Sequence, residues 1–316
     1  MGHQGSAIPV GGAMDRIALR IGNLLVGNDE SCAALEAALI GPAIGFDATT
    51  LLALTGGDLD ASVDGVGIPV WHPVVVRAGA TLRFGRPRVG CRTYVAVAGG
   101  IDVPPVFGSR STYLRAQFGG YEGRALRAGD AVRVGEPSRQ GRAIAQSFAQ
   151  SIGDAISRPA VARWSIGASL RPRYSEDPIV RLVAGAHTDA LTAEARRQLT
   201  TAAFRVSASS DRMGYRLEGT ELALREPLEL LSEAVAFGTV QLPPGGAPIV
   251  LMADRQTTGG YPRIGEVASV DLPLIAQLKP ADRVRFRFVS LDDAQQMYLD
   301  QEQDLAQARI AITLRH

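Results

Sequence analysis

The sequence is almost without lysine: Lys279, in the context "QLKPAD", is the only one in 316 residues. A Walker A loop needs a lysine directly after its glycines to reach the phosphates of a nucleotide, and no lysine stands at such a position. A biotin carrier displays its modified lysine between methionines, and that pattern is also absent. If ATP or biotin serves this protein, a partner must therefore supply it.

Cysteine and histidine are also scarce, and they are not spaced as metal ligands. Cys32 and Cys91 are far apart in the sequence and lack the short spacing of zinc-binding pairs, so we expect reduced thiols in the core. No HxH or HExxH pattern connects the histidines, which are His3, His72, His187 and His316. The sequence therefore predicts no metal site.

Long apolar runs and a strong net charge are missing as well. No stretch is long and uncharged enough to predict a membrane span, and the opening "MGHQGSAIPVGGAMDR" has no apolar signal core. The formal net charge of +1 gives no electrostatic reason to expect nucleic acid or an anionic membrane as a partner. We therefore expect a cytoplasmic protein that binds neither.

Short apolar segments that end at glycine or proline are abundant. Three of them share a basic residue, a small turn and then alternating apolar and basic residues: "VRAGATLRFGRP" from Val76, "LRAGDAVRVGEP" from Leu126 and "LKPADRVRFRFV" from Leu278. This period of two predicts half-buried strands with outward arginines. Other strands are predicted at "LLALTG", "IPVWHPVVV", "CRTYVAVAG", "PIVRLVAG", "FRVSA", "LELLSEAVAFGTVQL" and "PIVLMA". The sequence therefore predicts a mainly β fold of barrels or sandwiches.

Helices are fewer than strands. Apolar periodicity and end signals predict them at residues 13–27, which stop at Gly27, and at 28–41, with Asn28 or Asp29 as the cap. A third is predicted at residues 191–204. A fourth is a C-terminal surface helix capped by Ser290, with Asp293 three residues later.

The length of the chain predicts about two domains. Residues 136–160 lose the strand rhythm and are polar, small and flanked by proline. We interpret this stretch as the connection between the domains, with one short helix. The first domain is therefore placed at residues 1–145 and the second at 146–316, with an approximate boundary that allows a discontinuous arrangement.

The polar loop at residues 103–126, "VPPVFGSRSTYLRAQFGGYEGRAL", is the first candidate site. Ser109, Arg110 and Tyr113 follow a glycine, and the guanidinium of Arg110 offers a planar fork for a carboxylate or phosphate. A plain surface loop is the alternative. Loops of this length are usually functional or disordered, and the aromatic residues argue against disorder, so a ligand site is favoured.

A second polar stretch, "SSDRMGYRLEG", occupies residues 209–219. Asp211 and Arg212 stand side by side and are candidates for an ion pair, and Tyr215 follows them. On pattern alone, a turn that leads into an edge strand with outward charges is the better interpretation.

The third candidate is "ADRQTTGGYPRI", residues 253–264, between apolar segments. A plain connector needs only turn residues, whereas this one carries many donors and acceptors. Pro262 holds the preceding tyrosine extended. The candidate ligands are the amides of Gln241 and Gln256, the hydroxyls of Thr257 and Thr258, a backbone nest at Gly259 and Gly260, and Tyr261. Such a loop suits a planar carbonyl or amide and its developing oxyanion. No GxSxG elbow or Ser-His-Asp order accompanies it, so no reaction is indicated.

Four stretches together resemble a known family. They are "GGAMDR", "VAGGIDVPPVFGSRSTYLRAQFGGYEGRALRAGD", "SSDRMGYRLEG" and "LMADRQTTGGYPRI", and they resemble the biotin-dependent carboxyltransferase family, also called allophanate hydrolase subunit 2. That family includes the C subunit of 5-oxoprolinase and the KipA-like regulators. The resemblance extends over nearly the whole chain and implies two cyclophilin-like β-barrel domains.

The resemblance also implies a function within a complex. The partner would be a KipI-like protein, allophanate hydrolase subunit 1, with room for a third 5-oxoprolinase subunit. The first hypothesis is an ATP-dependent amidohydrolase that opens 5-oxoproline to glutamate. The alternatives are a carboxyltransferase of urea metabolism, with biotin supplied in trans, and a KipA-like protein that only binds its partner. ATP would be bound with or by the partner subunits.

The first hypothesis assigns roles to the candidate residues. Gln256, Thr257 and the glycine backbone would polarise an amide carbonyl, and Arg110 would hold a substrate carboxylate. Tyr215 and Tyr261 would shape the pocket. Asp211 and Arg212 would organise the loop or an interface.

Overall fold

A computed structural model describes residues 3–152 and 158–315. Contacts divide the chain into two compact units. We call Asp15–Pro172 with Glu302–His316 the sheet unit, and Met1–Met14 with Arg173–Gln301 the barrel unit. The boundary predicted after residue 145 lies within a helix of the sheet unit. It stays a prediction about domains, while the contacts define two units that are each discontinuous in sequence.

The sheet unit contains α1 (Arg16–Leu25), β1 (Leu35–Ala38), β2 (Ile44–Gly45), β3 (Thr50–Asp58), β4 (Ser62–Val63), β5 (Val66–Gly67), β6 (Pro73–Val76), β7 (Thr81–Arg83), β8 (Val89–Val97), α2 (Arg139–Ile152) and β9 (Ala160–Val161). One sheet has the strand order β1-β8-β3-β6-β9, and a second has the order β2-β7-β4-β5. The core between them is built from alternate residues of these strands, such as Leu52, Val74, Leu82 and Val95.

The first predicted helix is confirmed as α1. Asp15 caps it, because the Asp15 carboxylate accepts from the backbone N–H of Ala18 at 2.9 Å. The apolar face of α1, with Ile17 and Ile21 buried, packs against β3 and β8. The apolar face predicted from the sequence of α1 is therefore the face that is buried, as expected for an amphipathic helix.

The helix predicted at residues 28–41 is wrong. Asn28 caps no helix: its amide donates to Asn23 Oδ1 at 3.1 Å and Val97 O at 2.7 Å, and its oxygen accepts from Gly99 N–H. Residues Leu35–Ala38 instead form β1, which pairs antiparallel with β8. β1 is an edge strand of this sheet. Its pairing with β8 outweighed the helical propensity of its alanines.

Two further expectations for the sheet unit need correction. The repeated stretch from Leu126 forms no strand, and its Val134 makes only an isolated bridge to Ile101. The stretch at 136–160 contains α2, which is attached to the sheet unit because Ser138 Oγ donates to Gly27 O and Gly141 packs closely on Val26 O. Residues 136–152 and 158–160 therefore belong to the sheet unit, and residues 153–157 of this predicted connection lie outside the described residues.

The barrel unit contains β10 (Ile179–Ala184), α3 (Ala193–Thr201), β11 (Phe204–Val206), β12 (Gly214–Glu218), β13 (Glu233–Ala234), β14 (Thr239–Gln241), β15 (Ile249–Leu251), β16 (Thr258–Gly259), β17 (Arg263–Val267), α4 (Leu272–Ala276) and β18 (Arg283–Phe288). α5 (Leu291–Arg315) begins in this unit, and its residues from Glu302 onward belong to the sheet unit. Ser290 caps it as predicted, with Ser290 Oγ accepting from Asp293 N–H at 3.0 Å. α3 confirms the third predicted helix.

Seven strands of this unit close into a barrel in the order β10-β17-β14-β15-β12-β11-β18. The parallel pair β10–β18 completes the ring. Inward residues such as Leu182, Val240, Val250, Ile264 and Phe286 fill the interior. β13 and β16 form a separate two-stranded ribbon. The expected mainly β fold with a few helices is confirmed.

No helix in residues 3–152 and 158–315 has the length and apolarity that a membrane crossing requires.

Candidate functional site

The segment between β15 and β17 starts with a buried ion pair. Asp254 is only 7 % exposed, and its carboxylate accepts from Arg212 Nε at 2.8 Å and Nη2 at 3.1 Å. The backbone N–H of Asp254 also donates to Arg212 O at 2.8 Å. Arg212 Nη2 donates in addition to Gly12 O at 2.5 Å. One guanidinium therefore fixes three segments of the barrel unit at the start of this loop.

The predicted pairing of Asp211 with Arg212 is therefore wrong. Neighbouring side chains on this turn point apart, and Arg212 reaches Asp254. Asp211 is exposed and its carboxylate accepts from the backbone N–H groups of Met213 at 2.8 Å and Gly214 at 3.2 Å. This is an Asx-turn, so Asp211 shapes the turn that precedes β12.

Arg255 is buried and points into the protein. Its Nε and Nη1 donate to Val235 O and Met252 O, both at 3.4 Å, and its guanidinium lies 6.0 Å from the centre of the Phe237 ring. Together with Asp254, it anchors the first part of the loop below the surface.

The next residues are held by the ribbon of β13 and β16. Val235 N–H donates to Thr257 O at 3.1 Å, and Thr258 and Gly259 pair with Ala234 and Glu233. A Cβ on Gly259 would lie 2.6 Å from Gln241 Nε2, closer than any normal contact. Gly259 therefore permits close packing against Gln241.

The backbone nest predicted at Gly259 and Gly260 is not present. A nest needs alternating left- and right-handed residues, whereas Gly259 lies in extended β16 and neither glycine has a positive φ. Gly260 is also in close contact, since a Cβ there would lie 3.2 Å from Leu230 O. Neither glycine has room for a side chain, so both allow the backbone of this segment to pack closely against Gln241 and Leu230.

On this anchored backbone, four polar side chains are presented outward. Gln256, Thr258 and Tyr261 are exposed and Thr257 is half-buried; their side chains make no hydrogen bond to other described residues. A fixed backbone with uncommitted donors is the arrangement that binds an oxygen without much reorganisation.

Beneath the ribbon lies a group of polar residues on the outer face of the barrel. We call this group the polar wall, and it consists of Gln241, Arg263 and Glu266. Gln241 is 1 % exposed, and its Nε2 makes one long bond, 3.4 Å, to Tyr261 O. It pairs across β14 and β17 with Arg263. The predicted Gln241 therefore lies directly under the predicted loop.

Arg263 was not singled out from the sequence, although it stands in the quoted stretch. Its Nη2 donates to Glu233 Oε2 at 2.6 Å. Its backbone N–H donates to His187 Nδ1 at 3.1 Å, and its carbonyl accepts from His187 N–H at 2.9 Å. His187 therefore fixes the backbone of Arg263, a contact between residues 76 positions apart that no local pattern reveals.

Glu266 completes this wall and was also missed. Its Oε2 accepts from the Thr239 hydroxyl at 2.8 Å. Burial raises the pKa of Glu266, while the Thr239 hydroxyl and the charges of Arg263 and Arg255 oppose that shift. A half-buried carboxyl near two arginines is thus part of the same face.

Tyr215 has a different place from the one expected. It is 2 % exposed within the barrel core, and its hydroxyl donates to Leu278 O at 3.2 Å. The inward direction of alternate residues on β12 explains this. Tyr215 therefore acts as a core residue.

The predicted residues of the 103–126 loop belong to the sheet unit. Ser109 Oγ accepts from Ser111 N–H at 3.1 Å, and Arg110 Nε donates to Val103 O at 3.1 Å. The ring of Tyr113 meets that of Phe118 edge-on at 5.5 Å. The loop borders an open cleft of about 530 Å³, whose lining does not include these three predicted residues.

Lys279 is held in ion pairs. Its Nζ lies 2.6 Å from Glu176 Oε1 and 2.7 Å from Asp282 Oδ1. A lysine committed to two carboxylates is not placed to bind nucleotide phosphates or to carry biotin. Among residues 3–152 and 158–315, no group of three or more His, Cys, Asp or Glu is arranged to hold a metal ion.

Comparison with known proteins gives consistent matches. Residues 6–288 match the family model described as carboxyltransferase domain, subdomain A and B. The chain is 36 % identical to the C subunit of the Haemophilus influenzae 5-oxoprolinase, over 92 % of this chain and 88 % of the relative. It is 30 % identical to the urea amidolyase of Saccharomyces cerevisiae, over 97 % of this chain but 16 % of that longer protein.

A solved structure agrees with the fold. The crystal structure of the Kluyveromyces lactis urea carboxylase matches with a TM-score of 0.84 and 28 % identity, over 96 % of this chain and 27 % of that one. The family model and these relatives extend over most of the chain. The chain therefore belongs to the carboxyltransferase family with subdomains A and B.

Proposed function

We propose that this chain is a subunit of an ATP-dependent amidohydrolase of the 5-oxoprolinase type, which opens the lactam of 5-oxoproline to glutamate. The observation that carries the proposal is the anchored loop at residues 254–261, with buried charges at its start and uncommitted donors at its surface. The relative named as the C subunit of 5-oxoprolinase, which aligns with 92 % of this chain, supports the choice of substrate.

Lactam opening places negative charge on the carbonyl oxygen. The amide of Gln256 and the hydroxyl of Thr257 are the donors for that oxygen, and the fixed backbone limits the cost of arranging them. Loss of one such donor typically lowers kcat by about 10²–10³-fold. Thr258 and Tyr261 border the substrate, and Gly259 and Gly260 keep the ribbon close to Gln241.

The remaining predicted residues have supporting roles in this proposal. Arg212 positions the loop through Asp254, and Asp211 shapes the adjoining turn. Ser109, Arg110 and Tyr113 lie in a loop of the sheet unit, and their role in substrate binding stays a prediction from the sequence. Tyr215 contributes through the barrel core.

The cofactors are assigned to partners. ATP supplies the energy for lactam opening, but Lys279 is committed to Glu176 and Asp282, so the residues of this chain do not fit a phosphate-binding loop. The proposal therefore requires a KipI-like subunit 1 and a further subunit that bind ATP. The relative is itself named as one subunit of its enzyme, which supports partners of this kind.

Carboxyl transfer is the second candidate. The family model is named for a carboxyltransferase domain, and the match to a urea carboxylase structure extends over 96 % of this chain. In that case urea takes the place of the lactam and a separate carrier brings biotin. The same donors would face a planar amide oxygen.

The test is ADP release by the chain co-purified with its neighbouring subunits. Release that needs both 5-oxoproline and this chain supports the amidohydrolase. Release that needs urea and a biotinylated carrier supports carboxyl transfer instead. A stable complex without turnover of either amide would contradict both and leave a KipA-like binding role.

A further inference from the structure

One buried donor in the barrel unit lacks an acceptor. Nε of Arg263 is shielded from solvent and makes no hydrogen bond to any residue that the structure describes. Buried N–H groups in native proteins are nearly always paired, and an exception calls for a water, an ion or a ligand oxygen. A charged donor makes this requirement stronger.

The rest of Arg263 is fixed, so Nε cannot easily turn away. His187 holds its backbone from both sides, at 3.1 and 2.9 Å, and Glu233 holds Nη2 at 2.6 Å. The side chain as a whole is 26 % exposed, so solvent reaches part of it. The Nε–H group itself is shielded, so it is a fixed and unpaired donor behind the solvent-exposed part of the side chain.

A second donor lies across the strands. Gln241 faces Arg263 in the β14–β17 pair, at the point where the register shifts between Val240 and Gln241. Such bulges redirect side chains and often lie beside active sites. The Gln241 amide makes one long bond to Tyr261 O, which leaves a second N–H, and directly opposed side chains are within reach of one small group.

We infer that Arg263 Nε and the Gln241 amide bind a carboxylate oxygen of the substrate. A guanidinium N–H and an amide N–H favour an anionic oxygen over a neutral one. The inference deepens the proposed function and rests on it, since 5-oxoproline carries a carboxylate beside its lactam. Arg110, to which the sequence assigned this role, already uses its Nε on Val103 O.

The test compares two ligands and two arginine variants in the complex with the neighbouring subunits. Calorimetric titration measures the affinity for 5-oxoproline and for its carboxamide, which keeps the ring but lacks the charge. Arg263→Gln removes the donor and leaves Glu233 unpaired. Arg205→Gln is the matched control, because Arg205 forms an Arg–Glu pair with Glu218 at 2.7 Å on an exposed part of the same barrel.

The wild type and Arg205→Gln are expected to bind 5-oxoproline about tenfold or more tightly than the carboxamide, and Arg263→Gln to lose that preference. If Arg263→Gln does not fold, Arg263→Lys replaces it, since lysine keeps the charge but lacks the Nε–H donor. A preference that survives both substitutions overturns the inference and indicates that a water occupies the position.

The outcomes separate this inference from the proposed function. Arg263-dependent binding of 5-oxoproline without ADP release upholds the subsite and contradicts the amidohydrolase. If ADP release occurs and the KM of Arg263→Gln equals that of the control Arg205→Gln, the amidohydrolase is upheld and the subsite is contradicted. Absence of both binding and turnover contradicts both.

Discussion

Replacement of Gly259 by alanine tests whether the ribbon lies as close to the barrel as the structure shows. The added Cβ would lie 2.6 Å from Gln241 Nε2 and 3.3 Å from its Oε1. Gly259 has no positive φ, so alanine meets no backbone penalty, and the steric contact alone decides the outcome. Gln241 is 1 % exposed, which leaves its amide little room to move.

The expected cost follows from overpacking. Insertion of one methyl group into a closely packed site costs about 1–3 kcal/mol, because either the Gln241 amide leaves its bond to Tyr261 O or the ribbon moves outward. The double variant Gly259→Ala/Gln241→Ala removes the clashing group. Its destabilisation should therefore be smaller than the sum of the single effects by about 0.5 kcal/mol or more.

The assay is thermal and urea denaturation of the full chain, with Gly245→Ala as the matched control. A Cβ on Gly245 meets nothing within 4 Å, and Gly245 also has no positive φ. Equal stability of Gly259→Ala and Gly245→Ala would refute the close packing. Additive effects of Gly259→Ala and Gln241→Ala would refute the contact between these two residues.

Three other substitutions test separate contacts. Arg212→Met should lower the free energy of unfolding by about 1.5–3 kcal/mol, since it leaves the buried Asp254 carboxylate without its guanidinium partner. Arg205→Met, which removes the exposed ion pair with Glu218, should cost less than about 1 kcal/mol. Similar losses for the two variants in urea denaturation would contradict the role of the Arg212–Asp254 pair. Glu266 has a raised folded pKa, so its contribution is fully present below the ordinary glutamate value of about 4.3 and is lost as the pH rises through the raised value. Glu266→Gln should therefore gain stability relative to the wild type as the pH rises from the ordinary glutamate value through the raised one, and a difference in Tm that does not change with pH would contradict this. Ser290→Ala should cost about 1 kcal/mol by loss of the α5 cap, and an unchanged Tm would show that the cap is dispensable.

Local signals predicted the elements whose ends depend on their own residues. α5 begins where Ser290 and Asp293 form a cap, and the alternation after Leu278 became β18. The segment at residues 28–41 has equally good helical signals, but its partner in β8 lies far away in the sequence. Pairing with that distant strand decided its structure, and no window of local sequence contains that information.

The candidate site shows the same division. The stretch at residues 253–264 was predicted as a site from its unusual donors, with Gln241 beside it, and the structure places Gln241 Nε2 3.4 Å from Tyr261 O. The partner of Arg212 was not, because Asp254 is 42 residues away and only the fold brings them together. Arg255 stands in the same stretch and is buried, which the local sequence did not indicate. Gly259 was interpreted as a nest, while its structural reason is the Gln241 side chain beneath it.

The most direct test of the proposed function is kcat of the Thr257→Ala variant in the complete complex, with ADP release driven by 5-oxoproline. Thr201→Ala is the control, since Thr201 is an exposed threonine on α3 of the same unit. If Thr257 donates to the developing oxyanion, its loss should lower kcat by about 10²–10³-fold while Thr201→Ala stays at the wild-type rate. Equal turnover by the two variants would contradict the assignment of the loop as the oxyanion site.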